Sequence, residues 1–314
     1  MPLNQKGIWM LLLVFIASAG GQIRDESQAP MAIQNQLQQM RQKISTEKRS
    51  FTVSYNSAMQ YTIQQLCGAR PPRDWWGEAR KINLETHPPA VLKAAMTGLP
   101  AAWDWRDHAG VTAIRDQGGC GSCWAFGTMG AFESLLLIKH ALTIDLSEQY
   151  LVSCNSNGWG CNGGWWAFDM LLSPGAVLES AFPYAASDLP CPSGFTYPYQ
   201  ATGWAYVDGD NKVADTQKIK QAIYQIGPVA AAVYVGSYFQ GYGSGIFDKN
   251  EVSSCWLCCE KTADVNHAIL LVGWNDAEGV WILRNSWGSG WGENGYMRIK
   301  YGINNVGFAA TSVY

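Results

Sequence analysis

A cysteine stands where a glycine-rich turn meets an apolar run: Gln117-Gly118-Gly119-Cys120-Gly121-Ser122-Cys123-Trp124-Ala125-Phe126. Residues 124 to 138 hold no proline and are apolar on nearly every face, which predicts a helix buried at a domain centre with Cys123 at its N-terminus. Unpaired N–H groups and the positive end of the helix dipole favour the thiolate there, and the thiolate is the nucleophilic form. Gly118, Gly119 and Gly121 bring backbone close to a ligand. Gln117, upstream of the sulfur, can aim a neutral amide donor at an oxyanion forming beside it.

A thiolate nucleophile needs a basic partner, and the chain has four histidines. His87 precedes Pro88-Pro89 in a linker-like stretch, His108 lies in a polar turn, and His140 ends the helix that Cys123 begins. His267 remains, at the start of the strand-like run Ala268 to Trp274. A third group must fix the imidazole tautomer. Asn285 qualifies, because it ends the next apolar strand, Val280 to Arg284, and a hairpin of that length sets its start and end side by side. Trp287 is placed to shield the His267–Asn285 contact from water.

These groups need a helical wall for Cys123 and a sheet wall for His267 and Asn285. Further helices are expected from Ser147 to about Cys154 and from Gly164 to Leu172, the latter stopped by Pro174-Gly175. After residue 202 the pattern turns to strands: Val229 to Val235, Ala268 to Trp274, Val280 to Arg284 and Tyr296 to Lys300, with one helix from Thr216 to Ile226. The fold class is therefore α+β, with a cleft between a helical half and a sheet half. Gly163 and Gly164 leave main chain open for pairing with a peptide, and Trp165 and Trp166 either flank that site or belong to the core.

Three further runs are Leu146-Ser147-Glu148-Gln149-Tyr150-Leu151-Val152-Ser153-Cys154, Gly160-Cys161-Asn162-Gly163-Gly164, and Asn285-Ser286-Trp287 onward to Tyr296. Together with the Cys120-Gly121-Ser122-Cys123-Trp124 signature they resemble, in order, the landmarks of papain-type (cathepsin-like) cysteine proteases, from about Leu99 to the C-terminus. The resemblance implies a two-lobed fold, with a helical lobe at about 110–201. An antiparallel β-barrel-like lobe at about 202–314 would include the mature N-terminus. It implies Cys123 as nucleophile, His267 as acid and base, Asn285 as orienting group and Gln117 as oxyanion donor. Gly163, Gly164, Trp165, Trp166, Ala232, Val265, Ala268, Thr311 and Trp287 would then line substrate subsites. The second subsite, small and uncharged, suggests a hydrophobic or aromatic residue preceding the cleaved one. The same matching suggests disulfides Cys120–Cys161 and Cys154–Cys191. The family's third bridge would end near Val306, which is not a cysteine, so Cys255, Cys258 and Cys259 lack that partner. Local pairing among them, with the odd thiol joining Cys67, is one solution. A zinc site is disfavoured because only one Cys-x-x-Cys is present, and no metal or cofactor is expected. The spacing from Cys154 to Cys191 leaves no room for the His-bearing occluding insertion of cathepsin B-like dipeptidases, so an endopeptidase is expected.

The first 19 residues resemble a secretory signal: Lys6, an apolar run from Ile8 to Ala17, and the small residues Ala17-Ser18-Ala19. That predicts export to a secreted, periplasmic or lysosome-like and vacuole-like compartment without a membrane anchor. Residues 20–98 are Gln-rich and read as a short inhibitory propeptide and linker. They contain an amphipathic stripe (Ile33, Leu37, Met40, Ile44), a short strand (Phe51, Val53, Tyr55), a helix from Ser57 to Cys67 ended by Gly68, and linkers at Pro71-Pro72 and Pro88-Pro89. Cleavage is expected between Thr97 and Ala101, leaving 99–314 as the peptidase domain. A net charge of −3, with no basic aromatic cluster, argues against nucleic acid, and 15 Trp and 14 Tyr fit cleft walls and core better than a carbohydrate surface. The expected partners are protein or peptide substrates and the chain's own propeptide, with the enzyme a monomer. Two other functions use the same fold: a transamidase or peptide ligase with an amine replacing water, and a non-catalytic binding protein.

Overall fold

The computed structural model describes residues 24–85, 89, 98–209, 211–252 and 265–314. The signal-like segment, His87, and Cys255, Cys258 and Cys259 lie outside the described residues. Among the described residues no helix is long and apolar enough to cross a membrane.

The strands, in chain order, are β1 Phe51–Val53, β2 Ala102–Asp104, β3 Trp204–Tyr206, β4 Val229–Val233, β5 Tyr242–Phe247, β6 His267–Asn275, β7 Val280–Arg284, β8 Tyr296–Lys300 and β9 Phe308–Val313. They form one sheet in the order β1-β5-β8-β7-β6-β4-β9-β3, with β2 paired to β6. Pairing is antiparallel except between β5 and β8, which run parallel. The β6–β7 hairpin joins Asn275 to Val280 and Leu270 to Arg284, so His267 and Asn285 end on the same side of it.

The Cys123–His140 helix packs on this sheet, and every residue from Cys123 to Leu136 is buried. It carries apolar side chains on all faces because all faces are covered, as expected of a central helix. It stops at Ala141, whose left-handed φ of 54° lets the cap N–H reach the carbonyls of Leu136 and Leu137. Lys139 and His140 stand at its negative end. Two apolar cores result. One surrounds this helix with Trp124, Trp165, Phe168 and Trp204, and the other surrounds β4 to β8 with Phe239, Trp274, Trp281, Trp287 and Trp291.

The N-terminal segment docks on the second core. Its Met31–Thr46 helix buries Leu37 and Met40, while Ile33 and Ile44 pack at the margin. β1 then adds itself antiparallel to the edge of β5, an instance of strand addition. Phe51 lies against Phe247, with ring centroids 4.7 Å apart, and edge-on to Tyr238.

Several elements differ from the sequence reading. The expected helix from Ser57 to Cys67 is two turns, Ser57–Gln60 and Ile63–Leu66, each with its own cap. Asn56 caps the first through Ala58 N–H, and Thr62 with Gln65 forms a capping box on the second. The linker region after Pro72 holds a helix, Trp75–Glu85. The helix expected from Gly164 begins only at Phe168, because Gly164 is used in pairing with another segment.

Candidate active site

Cys123 opens its helix, and its sulfur is fully buried among main-chain N–H groups. Gly68 N–H donates to Sγ at 3.2 Å. The N–H groups of Ala268, Trp124 and Ala69 also favour the thiolate. Ala268 follows His267 directly, so the first residues of β6 come to the cysteine from the opposite wall. Burial dominates over these donors and pushes the Cys123 thiol up to about 11.

His267 is likewise fully buried, and burial pushes its imidazole down to about 4 against the support of Asn285 and of the Leu66 backbone in the N-terminal segment. Nε2 lies 2.8 Å from Asn285 Oδ1, which also accepts from Ser286 N–H. An amide oxygen only accepts, so Nε2 carries the hydrogen and Nδ1 holds the lone pair. Nδ1 is buried and makes no close hydrogen bond. Trp287 covers the ring with centroids 4.7 Å apart, which keeps water from the Nε2 contact. Burial thus disfavours the charged form of both groups while the cleft is occluded.

Gln117 is held at both ends. Its backbone N–H donates to Ser286 O at 2.8 Å. Ser286 Oγ–H donates to Oε1 at 2.6 Å, which leaves the NH₂ group facing the cleft. That group donates to Cys120 O and to Leu66 O, each at 2.8 Å. Tyr184 O–H supports the same loop by donating to Gln117 O, and it also contacts Ser122 Oγ.

Residues 66–70 thread the cleft as an extended plug. Besides Leu66 O on Gln117 and Gly68 N–H on Cys123, Ala69 N–H donates to Asn266 O. Arg70 N–H donates to Gly164 O, and Gly164 N–H to Gly68 O, each at 2.9 Å, making a parallel bridge of Ala69 to Gly164. A Cβ on Gly68 would stand 1.7 Å from Gly121 O, so only glycine fits there.

The subsite residues named from the sequence are buried around this crossing. Trp165 donates through Nε1 to Tyr206 Oη, and Trp166 to Ala309 O; the Trp166 ring and Ala268 both border the space above Gly127. Ala232, Val265, Ala268 and Thr311 are also buried. Disulfides join Cys120 to Cys161 and Cys154 to Cys191, while Cys67 and Cys123 are free thiols. His108 stacks on Trp103, and His140 stands at the far end of the helix from Cys123. Among the described residues no group of three or more His, Cys, Asp or Glu could hold a metal ion.

Sequence reasoning missed Ser286 and the plug. Ser286 stands beside Asn285 in the same run, and its hydroxyl has no pattern that announces a bond to Gln117. Beneath the site it also missed a buried charged layer. Arg284 donates to Ala113 O, and Glu133 accepts from Thr112 Oγ1 and Leu146 N–H; burial raises the carboxyls of Glu133 and Glu148.

Residues 99–314 match the family model described as papain family cysteine protease. The chain is 39% identical over 247 residues to a viral cathepsin of Heliothis zea nuclear polyhedrosis virus, covering 74% of this chain and 63% of that protein. It is 36% identical over 230 residues to the thiol protease aleurain of Arabidopsis thaliana, covering 71% of this chain and 62% of that one. The chain thus spans less than two thirds of the length of these curated relatives. A solved structure of the digestive procathepsin L2 proteinase from Tenebrio molitor larval midgut superposes with a TM-score of 0.74 at 28% identity, covering 90% of each chain.

Proposed function

Because the chain belongs to the papain family of cysteine proteases, we propose that it is the proenzyme of a cysteine endopeptidase, in which residues 99–314 hydrolyse internal peptide bonds and residues 20–98 inhibit them. The observation that carries this reading is the carbonyl of Leu66 on the Gln117 amide with Gly68 N–H on the Cys123 sulfur. A peptide backbone already lies where a scissile carbonyl would have to lie.

In the reaction Cys123 gives its thiol proton to His267 Nδ1 as its sulfur attacks the carbonyl carbon, and Gln117 with the Cys123 backbone N–H holds the oxyanion. His267 delivers a proton from Nδ1 to the leaving amine, then deprotonates the water that hydrolyses the thioester. Asn285 fixes the ring for both transfers, and Ser286 fixes the direction of the Gln117 amide. Gly163 and Gly164 pair with substrate main chain, while Trp165, Trp166, Ala232, Val265, Ala268 and Thr311 form an apolar subsite beside it. Trp287 walls the leaving-group side. The plug escapes cleavage because it runs parallel to Gly164. A peptide in that direction presents its leaving nitrogen on the wrong side of the imidazole. Export by residues 1–19 would deliver a monomeric proenzyme to a secretory, periplasmic or vacuolar compartment.

Gln117→Ala tests the oxyanion assignment. Losing one such donor costs about 2.7–4 kcal/mol of barrier, so kcat of the processed enzyme on a peptide substrate should fall about 100- to 1,000-fold. Near-normal turnover would remove Gln117 from the mechanism.

A further inference from the structure

The chain brings a second reduced cysteine to the catalytic one, and the mechanism above gives it nothing to do. Cys67 lies in the plug, half-buried and free, and its neighbours in sequence are both fixed on the site. Leu66 O is held by Gln117, and Gly68 N–H stands 3.2 Å from Cys123 Sγ. From the fixed lengths of backbone bonds, the Cα of Cys67 is within about 6 Å of that sulfur. The bonds of Ala69 to Asn266 and of Arg70 to Gly164 prevent the segment from sliding along the cleft. Two disulfides elsewhere in the chain fit an oxidising compartment, where two thiols held this close do not stay independent.

We propose that Cys67 and Cys123 form a disulfide in the oxidised proenzyme, a covalent latch that closes the cleft until a thiol reductant opens it. The inference rests on residues 20–98 acting as the inhibitory segment. The oxidant is a small-molecule disulfide such as oxidised glutathione. Cys67 attacks it as the thiolate, forming a mixed disulfide, and its proton leaves with the released glutathione thiol. The Cys123 thiolate then attacks Cys67 Sγ and expels the second glutathione, whose sulfur takes up the proton that Cys123 lost. Two protein thiols are oxidised and one glutathione disulfide is reduced to two thiols. Rotation about the Cα–Cβ bonds of the two cysteines, with adjustment of the plug, closes the distance. The plug's main-chain bonds supply the high effective concentration that favours the intramolecular bond over glutathione capping.

Peptide mapping of the full-length proenzyme tests this without reference to activity, so its outcome is separate from whether residues 20–98 inhibit. After equilibration with oxidised glutathione, alkylation of remaining thiols and tryptic digestion without reductant, residues 50–73 should be found linked to residues 116–139. Dithiothreitol should dissolve that link. Cys67→Ser should remove it and leave Cys123 free or glutathione-capped. Finding Cys67 free, capped by glutathione alone, or joined to Cys255, Cys258 or Cys259 under these conditions would overturn the proposal.

Discussion

Two parts of the N-terminal segment meet the peptidase portion by different physics. Residues 31–60 dock through buried apolar side chains and an added strand: Leu37, Met40, Phe51 and Val53 join the core around Phe239 and Trp291. Residues 66–70 dock mainly through main-chain hydrogen bonds to Gln117, Cys123, Gly164 and Asn266, with one glycine fitted against Gly121. The first part has the area to supply affinity, and the second has the position to supply inhibition. A segment built this way can stay attached while its plug lifts.

Phe51→Ala should give the largest effect on docking, because truncating a buried phenylalanine typically costs about 3–5 kcal/mol. Its ring contacts Phe247 and Tyr238, both in the peptidase portion. Activation of the proenzyme should therefore speed up by about two to three orders of magnitude. Wild-type latency in this variant would mean that affinity does not reside in residues 31–60.

Acid should act on the plug next. The imidazole of His267 is held down to about 4 while the plug excludes water, and an ordinary exposed histidine titrates near 6.5. The lifted form therefore binds a proton in this window that the occluded form does not. Occlusion is favoured above about pH 6.5, and its advantage shrinks by up to about tenfold per unit as pH falls towards 4, then changes no further from this group. Activation rates of the proenzyme between pH 7 and pH 4 measure the slope, and a flat profile would show that His267 does not sense the plug.

Gly68→Ala should act on the plug alone. The added methyl meets Gly121 O, and overpacking of this kind costs about 1–3 kcal/mol. Alkylation of Cys123 in the intact proenzyme should accelerate by about 5- to 150-fold while residues 31–60 remain docked. Release of the whole segment would erase the distinction between the two parts.

What was legible in the sequence follows the same division. Cys123, His267, Asn285 and Gln117 are chemically distinctive side chains, and the hairpin from Ala268 to Arg284 had two continuous apolar runs about a polar turn, enough to pair two of them. The plug offered no such signal. Its contacts are main-chain groups that every residue carries, and Gly68 reads equally well as a helix stop. The amphipathic stripe Ile33, Leu37, Met40 and Ile44 was readable because a helix face was being buried. The Trp75–Glu85 helix was not, since Pro71-Pro72 and Gly77 punctuate the region as a linker does. β3 is too short for periodicity to register, and β5 is diluted by Gly243, Ser244 and Gly245.

The central claim is that Cys123 is the nucleophile and is silenced by the plug. Its most direct test is the rate of carboxymethylation by iodoacetamide, mapped to the modified residue, in proenzyme and processed protein at the same pH, with peptide cleavage followed in parallel. The account predicts slow labelling in the proenzyme and fast labelling of Cys123 in the processed form, with cleavage lost in step. Undiminished cleavage by protein fully modified at Cys123 would contradict it.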